Sequence, residues 1–222
     1  MSKRTPVFKF EHVSFAWPGG RSVLEKQSFS LPKGGFVLVR GPSGSGKSTL
    51  LRLMNRFESA QAGCIRYAGI PLADWNPSRL RRQVVYLQQA PVIRGVSVRE
   101  TLLQPFGFSV NKDKSPPDDG KIREFLDRLK LDKVDPDDSG AALSGGQRQR
   151  LAFLRALFLE PEVLLLDEPA ASLDRESRTI VEELAEAHCR QGHTVIMVTH
   201  DDFQPGTVPG ITLTIDNGKV AV

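Results

Sequence analysis

The stretch FVLVRGPSGSGKS, residues 36–48, decides the fold of this chain. Its first four residues, 36–39, are all apolar, which is typical of a strand that is buried on both faces. Residues 41–48 then fit the pattern G-x-x-x-x-G-K-[ST], and the apolar residues that follow predict a helix. A strand, a glycine-rich loop and a helix in this order predict an anion site, because backbone N–H groups converge there at a helix N-terminus.

The residue types in this loop suit the binding of a nucleotide. Glycines permit the backbone conformations that aim successive N–H groups inward. Lys47 is expected to reach the β- and γ-phosphates, and the hydroxyl of Ser48 is expected to bind Mg²⁺. The predicted nucleotide contacts in this segment are Gly41, Ser43, Gly44, Ser45, Gly46, Lys47, Ser48 and Thr49.

A second apolar run, residues 163–166, is followed at once by Asp167 and Glu168. Ligands of open α/β sheets lie at the carboxyl ends of the strands, so both carboxylates are expected at the nucleotide. We predict that Asp167 holds Mg²⁺, directly or through water, and that Glu168 polarises the attacking water as a general base. Asp-Glu-Pro alone could simply end a strand, but the loop upstream favours the catalytic interpretation.

The other apolar patterns predict an α/β fold with a mainly parallel sheet and flanking helices. Residues 194–199 resemble the run at 163–166, and helical stretches separate such strands. Alternation within residues 8–17 slips near His12, which predicts antiparallel strands with a bulge at the N-terminus.

Two later segments differ from this alternation of strands and helices. Between about residues 90 and 155 the pattern predicts a small helical subdomain inserted into the core, with a loop at 113–120 and a helical apolar face from Ile122 to Leu129. Residues 211–215 alternate again before Asp-Asn-Gly, which predicts a hairpin. We expect one domain over residues 1–222, with the helical subdomain nested in it.

Composition excludes several classes of protein. A pI near 9.2 is compatible with nucleic acid or a membrane surface as a partner, but the net charge is only +4 among 222 residues and basic residues are interleaved with acids, which favours an ordinary solvated surface. Two cysteines, Cys64 and Cys189, form neither a disulfide framework nor a zinc-binding pattern, which favours a reducing compartment. Residues 1–6 include two basic residues, but no apolar stretch follows them, so no signal peptide is expected, and no apolar run is long enough for a membrane span.

The segment Leu143-Ser144-Gly145-Gly146-Gln147 resembles the signature motif of ATP-binding cassette (ABC) ATPases, and the flanking residues 148–152 match as well. A serine and glycines at a helix start present a hydroxyl, N–H groups and a positive dipole end to an anion. A helix cap would account for the serine and for one glycine, but not for the whole string ahead of Asp167 and Glu168.

This resemblance implies further site residues. Trp17 falls where the family has an aromatic ring stacked on adenine, and Gln89, with Gln88 as its rival, falls at the loop that touches Mg²⁺ and water. Asp174 resembles the end of the loop that communicates across the dimer, and His200 resembles the switch histidine near the γ-phosphate. The catalytic set is therefore predicted to be Glu168, His200 and Gln89.

The resemblance also implies cofactors and partners. ATP and Mg²⁺ are expected, with a second cassette, an identical copy, closing head-to-tail so that its Ser144 to Gln147 cap the ATP. A separately encoded integral-membrane permease is expected, which places this chain in the cytoplasm at the inner (plasma) membrane. The chain looks most like bacterial ATPases of iron-export and metal-resistance systems. A soluble ATP-gated clamp stays open as the alternative.

Overall fold

The computed structural model describes residues 6–20, 22–93, 95–200 and 202–222. The signal-peptide prediction rests mainly on residues 1–5, which lie outside the described residues. Strands within the described part are β1 (Pro6–Ala16), β2 (Ser22–Pro32), β3 (Phe36–Arg40), β4 (Ala62–Tyr67), β5 (Ile70–Pro71), β6 (Val84–Leu87), β7 (Val163–Asp167), β8 (Thr194–Val198), β9 (Gly210–Asp216) and β10 (Lys219–Ala221). The α-helices there are α1 (Lys47–Met54), α2 (Pro77–Gln83), α3 (Val98–Leu103), α4 (Asp119–Arg128), α5 (Gly145–Phe158) and α6 (Arg175–Arg190).

The strands form two sheets. The larger has six strands in the order β10-β9-β3-β8-β7-β6, and all its pairings are parallel except the β9–β10 hairpin. The smaller is an antiparallel sheet in the order β2-β1-β4-β5. The predicted α/β fold, with a mainly parallel sheet and an N-terminal antiparallel β-region, is confirmed. The predicted bulge is also confirmed, since the β1–β2 register shifts between Phe10 and Val13 and His12 has a φ of 50°.

The continuous apolar strands are explained by two hydrophobic cores on opposite faces of the larger sheet. In β3, Phe36 and Leu38 join the core that α3, α4 and α5 cover, whereas Val37 and Val39 join the core that α1 and the antiparallel sheet cover. Residues 36–39 of the strand are therefore all apolar, because neither face reaches solvent there.

The parallel register places three functional segments at one edge of the sheet. Val39 and Asp167 both pair with Val198 of β8, so β3, β7 and β8 end side by side. Leu87 of β6 pairs with Leu166 of β7, which brings the segment after β6 to the same edge. This edge is where an open α/β sheet binds its ligands.

The helical segment between β6 and β7 contains α3, α4 and α5. Ile122 and Leu126 are buried on one face of α4, as predicted. The predicted loop ends earlier than expected, because Asp118 caps α4 by accepting a hydrogen bond from the N–H of Lys121. Within the described residues, no helix is long and apolar enough to cross a membrane.

Candidate nucleotide site

The loop between β3 and α1 is a cradle that requires glycine at two positions. Gly46 has a φ of 104°, and a Cβ added there would lie 2.1 Å from Cγ1 of Val23. A Cβ added at Gly41 would lie 2.1 Å from the carbonyl oxygen of Ile215. The backbone can take this path only without side chains, so the glycines are needed for the shape of the cradle.

Three polar features of the loop suit an anion. The ammonium of the buried Lys47 donates hydrogen bonds of 2.9 Å to the carbonyl oxygens of both Gly41 and Pro42, which holds it over the loop. The hydroxyl of Ser45 is buried and lacks a hydrogen-bond partner among the described residues. No side chain caps the N-terminus of α1. A cation, an unpaired hydroxyl and an uncapped helix start fit a bound phosphate group.

The two predicted magnesium ligands lie against each other. The hydroxyl of Ser48 donates a hydrogen bond of 2.9 Å to Oδ1 of Asp167, which is buried. Oxygens bound side by side in an octahedral Mg²⁺ site are about 2.9 Å apart, because each lies about 2.0–2.1 Å from the ion. The oxygen chemistry and spacing of this pair therefore fit Mg²⁺.

Tyr86 is a residue of this site that sequence reasoning missed. Its hydroxyl donates a hydrogen bond of 2.8 Å to Oδ2 of Asp167, so the two oxygens of that carboxylate have different partners. Burial, followed by the charge of Asp167, raises the pKa of Tyr86 to about 12, so the phenol stays protonated and remains a donor at neutral pH.

Glu168 lies between the two other predicted catalytic side chains. The amide nitrogen of Gln89 donates to its Oε2 at 2.8 Å, and Nε2 of His200 lies 2.9 Å from its Oε1. Gln88 instead donates to the nearby carbonyl of Ala90, so the structure places Gln89 and not its rival beside the carboxylate. Glu168 has a φ of 49°, a conformation that non-glycine residues adopt mainly where function or packing requires it.

Trp17 stands at the rim of the cradle, 38% exposed. Its indole nitrogen donates to Oγ1 of Thr49 at 3.3 Å, and its ring meets that of Phe15 edge-on at 5.2 Å. A cavity of about 480 Å³ lies beside it. The lining of this cavity includes Trp17, Pro42, Ser43, Gly44, Ser45 and the hairpin residues Asp216, Asn217 and Gly218. An exposed indole beside a phosphate cradle suits the stacking of a flat base.

The predicted signature segment caps α5. The hydroxyl of Ser144 accepts the N–H of Gln147 at 3.3 Å, and the side chain of Gln147 accepts the N–H of Ser144 at 2.8 Å. This reciprocal capping box accounts for both residues, so the expectation that a cap would account only for the serine and one glycine was too narrow.

The glycines of this segment are not needed for the fold of the chain itself. Nothing lies within 4 Å of a Cβ added at the exposed Gly145, and its φ is not positive. A Cβ at Gly146 would make only an ordinary contact of 3.4 Å with Leu173. A glycine with open space around it at a helix start leaves room for the close approach of another molecule.

Asp174 caps α6 by accepting the N–H of Ser177 at 2.9 Å and its hydroxyl at 2.8 Å. These hydrogen bonds from Ser177 hold the pKa of Asp174 below its usual value. Arg150 of α5 also donates to the hydroxyl of Ser177, so this cap is tied to the helix that the signature segment begins.

A groove of about 1250 Å³ lies beside the predicted glutamine loop. Four of the seven exposed large apolar side chains in the described part of the chain line it, with exposures of 41–70%, namely Phe57, Val92, Val96 and Phe108. Arg155 lines it too, and its guanidinium has no ion-pair or hydrogen-bond partner within the described residues. Burial alone lowers the pKa of Arg155.

Comparisons with known proteins point to one family. A family model described as ABC transporter matches residues 24–171. The probable iron export ATP-binding protein FetA of Escherichia coli (strain K12) is 34% identical over 202 residues, covering 90% of this chain and 88% of that protein. The ATP-dependent lipid A-core flippase of Ralstonia nicotianae is 37% identical over 203 residues, which cover 86% of this chain.

The chain spans very different shares of these relatives, since the match covers only 33% of the flippase. Among solved structures, that of a bacterial Atm1-family ABC exporter with ATP bound superposes with a TM-score of 0.83. The superposition covers 100% of this chain and 39% of the exporter at 24% identity, so it supports the fold alone.

Proposed function

The chain belongs to the ABC transporter family, whose ATP-binding domains are Mg²⁺-dependent ATPases, and from this premise we propose that it is the ATP-hydrolysing subunit of a transporter. In this proposal, two copies close head-to-tail on ATP and drive a separate membrane permease. The observation that carries it is the apolar groove with the unpaired Arg155, which adjoins the catalytic edge of the sheet. Residues 1–222 act as one ATPase domain, with a nested helical subdomain at about 90–155.

The phosphate loop holds the nucleotide. Backbone N–H groups of residues 41–49 and the ammonium of Lys47 bind the phosphate oxygens, and Trp17 stacks on adenine. Ser48 and Asp167 hold Mg²⁺, which supplies charge neutralisation at the phosphates, and Gln89 adds a further contact to the ion.

Glu168 takes a proton from the attacking water. Gln89 and His200 each contact one of its carboxylate oxygens, so they fix the direction in which the carboxylate accepts that proton. Lys47 stabilises the negative charge that grows on the transferred phosphoryl group, and His200 adds a hydrogen bond near it. Because these groups are oriented by contacts within the chain, little reorganisation is needed when ATP is bound.

The second copy completes the site. Ser144, Gly145, Gly146 and Gln147 of one chain cap the ATP on the phosphate loop of the other, and the open space at Gly145 supports this approach. The loop that ends at Asp174 then transmits the state of one site to the other.

Complementation tests this arrangement, because Lys47→Ala mixed with Ser144→Arg restores one intact site only if the two halves come from different chains. Mixtures that stay as inactive as the single variants would contradict it.

The groove receives a helix of the permease. The apolar side chains of the groove fit the apolar face of an amphipathic helix. We expect a carboxylate on that helix to pair with Arg155, because burying a guanidinium without a counter-ion is unfavourable in free energy. The ATPase subunit thus lies in the cytoplasm at the inner face of the plasma membrane. The match covers 88% of FetA, so little of that protein lies outside it, and this supports a permease that is a separate chain. No nucleic acid is involved.

Co-purification tests the proposal. A tagged Glu168→Gln variant, with ATP and Mg²⁺ to hold the dimer closed, is purified from detergent-solubilised membranes and its partners are identified by mass spectrometry. We expect a multi-span protein, and we expect its recovery to fall when Phe57→Glu or Arg155→Glu is added. Ile70→Glu, at an exposed apolar residue outside the groove lining, is the matched control.

Recovery of a homodimer alone would contradict the transporter proposal and favour the soluble clamp. Recovery that Ile70→Glu lowers as much as Phe57→Glu would place the docking surface elsewhere.

A further inference from the structure

Tyr86 is a single side chain that takes part in both regions of the molecule described above. It is half-buried and lies near the end of β6. Its hydroxyl donates a hydrogen bond to the carboxylate of Asp167, the proposed Mg²⁺ ligand (below, the magnesium carboxylate), and the residue also lines the groove. It is one of only two tyrosines in the sequence, and the other, Tyr67, lies in β4 and is buried in the core below the antiparallel sheet.

The hydroxyl end fixes the orientation of Asp167. Ser48 donates to Oδ1 and Tyr86 donates to Oδ2, so the carboxylate is held from both sides before any metal is bound. A group that orients a metal ligand in this way raises metal affinity without touching the ion, since the ligand no longer loses rotational freedom on binding.

The ring of Tyr86 contacts another residue of the groove lining. The ring of Phe57, 54% exposed in the groove, lies 5.9 Å from that of Tyr86 at an interplanar angle of 62°. The guanidinium of Arg81 lies over the Phe57 ring, 4.6 Å from its centre. The same guanidinium donates hydrogen bonds to the carbonyl oxygens of Asn55 and Arg56, just beyond α1. A molecule that fills the groove therefore contacts Phe57, whose ring packs edge-on against that of Tyr86.

We propose that Tyr86 is a positioning residue for the magnesium carboxylate and that it couples the groove to the metal site, so that occupation of the groove changes the affinity for Mg²⁺. The inference rests on the proposed function only in naming a permease helix as the occupant of the groove. The link from Phe57 through Tyr86 to Asp167 is a property of the isolated chain and is tested on it.

The hydroxyl is tested by Tyr86→Phe, which removes one oxygen and keeps the ring. Binding of Mn²⁺ to the chain saturated with ADP is followed by the electron paramagnetic resonance of the free ion. We expect Mn²⁺ affinity to fall about tenfold, as is typical when a group that orients a metal ligand is removed. The affinity for ADP in the presence of a chelator should stay unchanged, because the phosphate loop is intact.

Tyr67→Phe is the matched control, since the hydroxyl of Tyr67 also donates to a carboxylate, Oε2 of Glu162, at 3.4 Å. It should leave Mn²⁺ affinity at the wild-type value. Equal Mn²⁺ affinities for Tyr86→Phe and the wild type would overturn the positioning role, and so would an equal loss in Tyr67→Phe.

The coupling is tested by a double-mutant cycle with Phe57→Ala. Loss of the ring contact should weaken Mn²⁺ binding about threefold when Tyr86 is present and have no effect in the Tyr86→Phe background. The same threefold effect in both backgrounds would show that Phe57 acts by another route and would overturn the coupling. The cycle needs no permease, so its failure leaves the docking proposal intact, and failed co-purification leaves the coupling intact.

Discussion

Gly145→Ala separates the stability of the chain from its activity more cleanly than any other substitution at the signature segment. A Cβ at this first residue of α5 has nothing within 4 Å and needs no positive φ. Alanine should therefore raise the free energy of unfolding by about 0.4–1 kcal/mol, because it reduces the entropy of the unfolded chain. In a chain of this size, the melting temperature should rise by about 1–4 °C.

Activity should change in the opposite direction. If a second chain's nucleotide approaches this helix start, the added methyl group stands in the closed interface and keeps the phosphates from their donors. A displacement of about 1 Å at a reacting centre can cost about 10²-fold in rate, so we expect ATP hydrolysis to fall by about that factor. ATP-dependent dimerisation, measured by sedimentation in the Glu168→Gln background, should fall with it.

The matched control is Gly120→Ala, in the first turn of α4. It too has no positive φ, and an added Cβ makes only an ordinary contact of 3.4 Å with the side chain of Asp118. It should raise the melting temperature similarly and leave hydrolysis unchanged. Wild-type turnover in Gly145→Ala would refute the interchain site. A melting temperature of Gly145→Ala several degrees below that of the wild type would show that the space around Gly145 is not open.

Three further substitutions test other parts of the chain. Glu168→Gln should hydrolyse ATP about 10²-fold more slowly or worse while still binding it, and near-normal turnover in a steady-state assay would remove Glu168 as the base. Lys47→Ala should weaken ATP binding about 10–100-fold in a fluorescence titration, because charge-assisted hydrogen bonds are lost, and an unchanged affinity would count against the cradle. Burial, and then the charge of the neighbouring His193, lowers the pKa of His188 to about 4, below its ordinary value of 6.5. The unfolded chain therefore binds more protons there, and stability should fall by up to about 3 kcal/mol as pH drops from about 6.5 towards 4. His188→Gln should flatten that dependence in urea unfolding at a series of pH values, whereas an equally steep fall would assign it to other groups.

Local chemistry explains why the nucleotide cradle could be predicted from the sequence. The apolar strand, the glycines and Lys47 lie within 13 consecutive residues, 36–48, and each determines its neighbour's conformation directly. The cap formed by Ser144 and Gln147 could also have been found, because a serine followed three residues later by glutamine is a recognised helix start.

The contribution of Tyr86 could not be predicted in the same way. It reaches Asp167 only because β6 and β7 pair in parallel, with Tyr86 opposite Leu165, although the helical segment separates these strands in sequence. No local pattern specifies that register. The groove could not be predicted either, since its apolar side chains come from the turn after α1 and from the segment around α3, and only the tertiary fold brings them together.

The capping of α5 and the proposed recognition of the partner's nucleotide use different parts of the same serine. In the capping box, Oγ of Ser144 accepts the N–H of Gln147, which occupies one of its lone pairs. A hydroxyl also has one proton to donate, and capping does not use it. That proton can therefore be given to a phosphate oxygen without opening the helix start, and the dipole of a capped, ordered helix is better aimed at an anion than that of a frayed one. In the proposed dimer, the cap thus keeps the signature segment ordered for the second chain, so that one short motif would serve both stability and assembly.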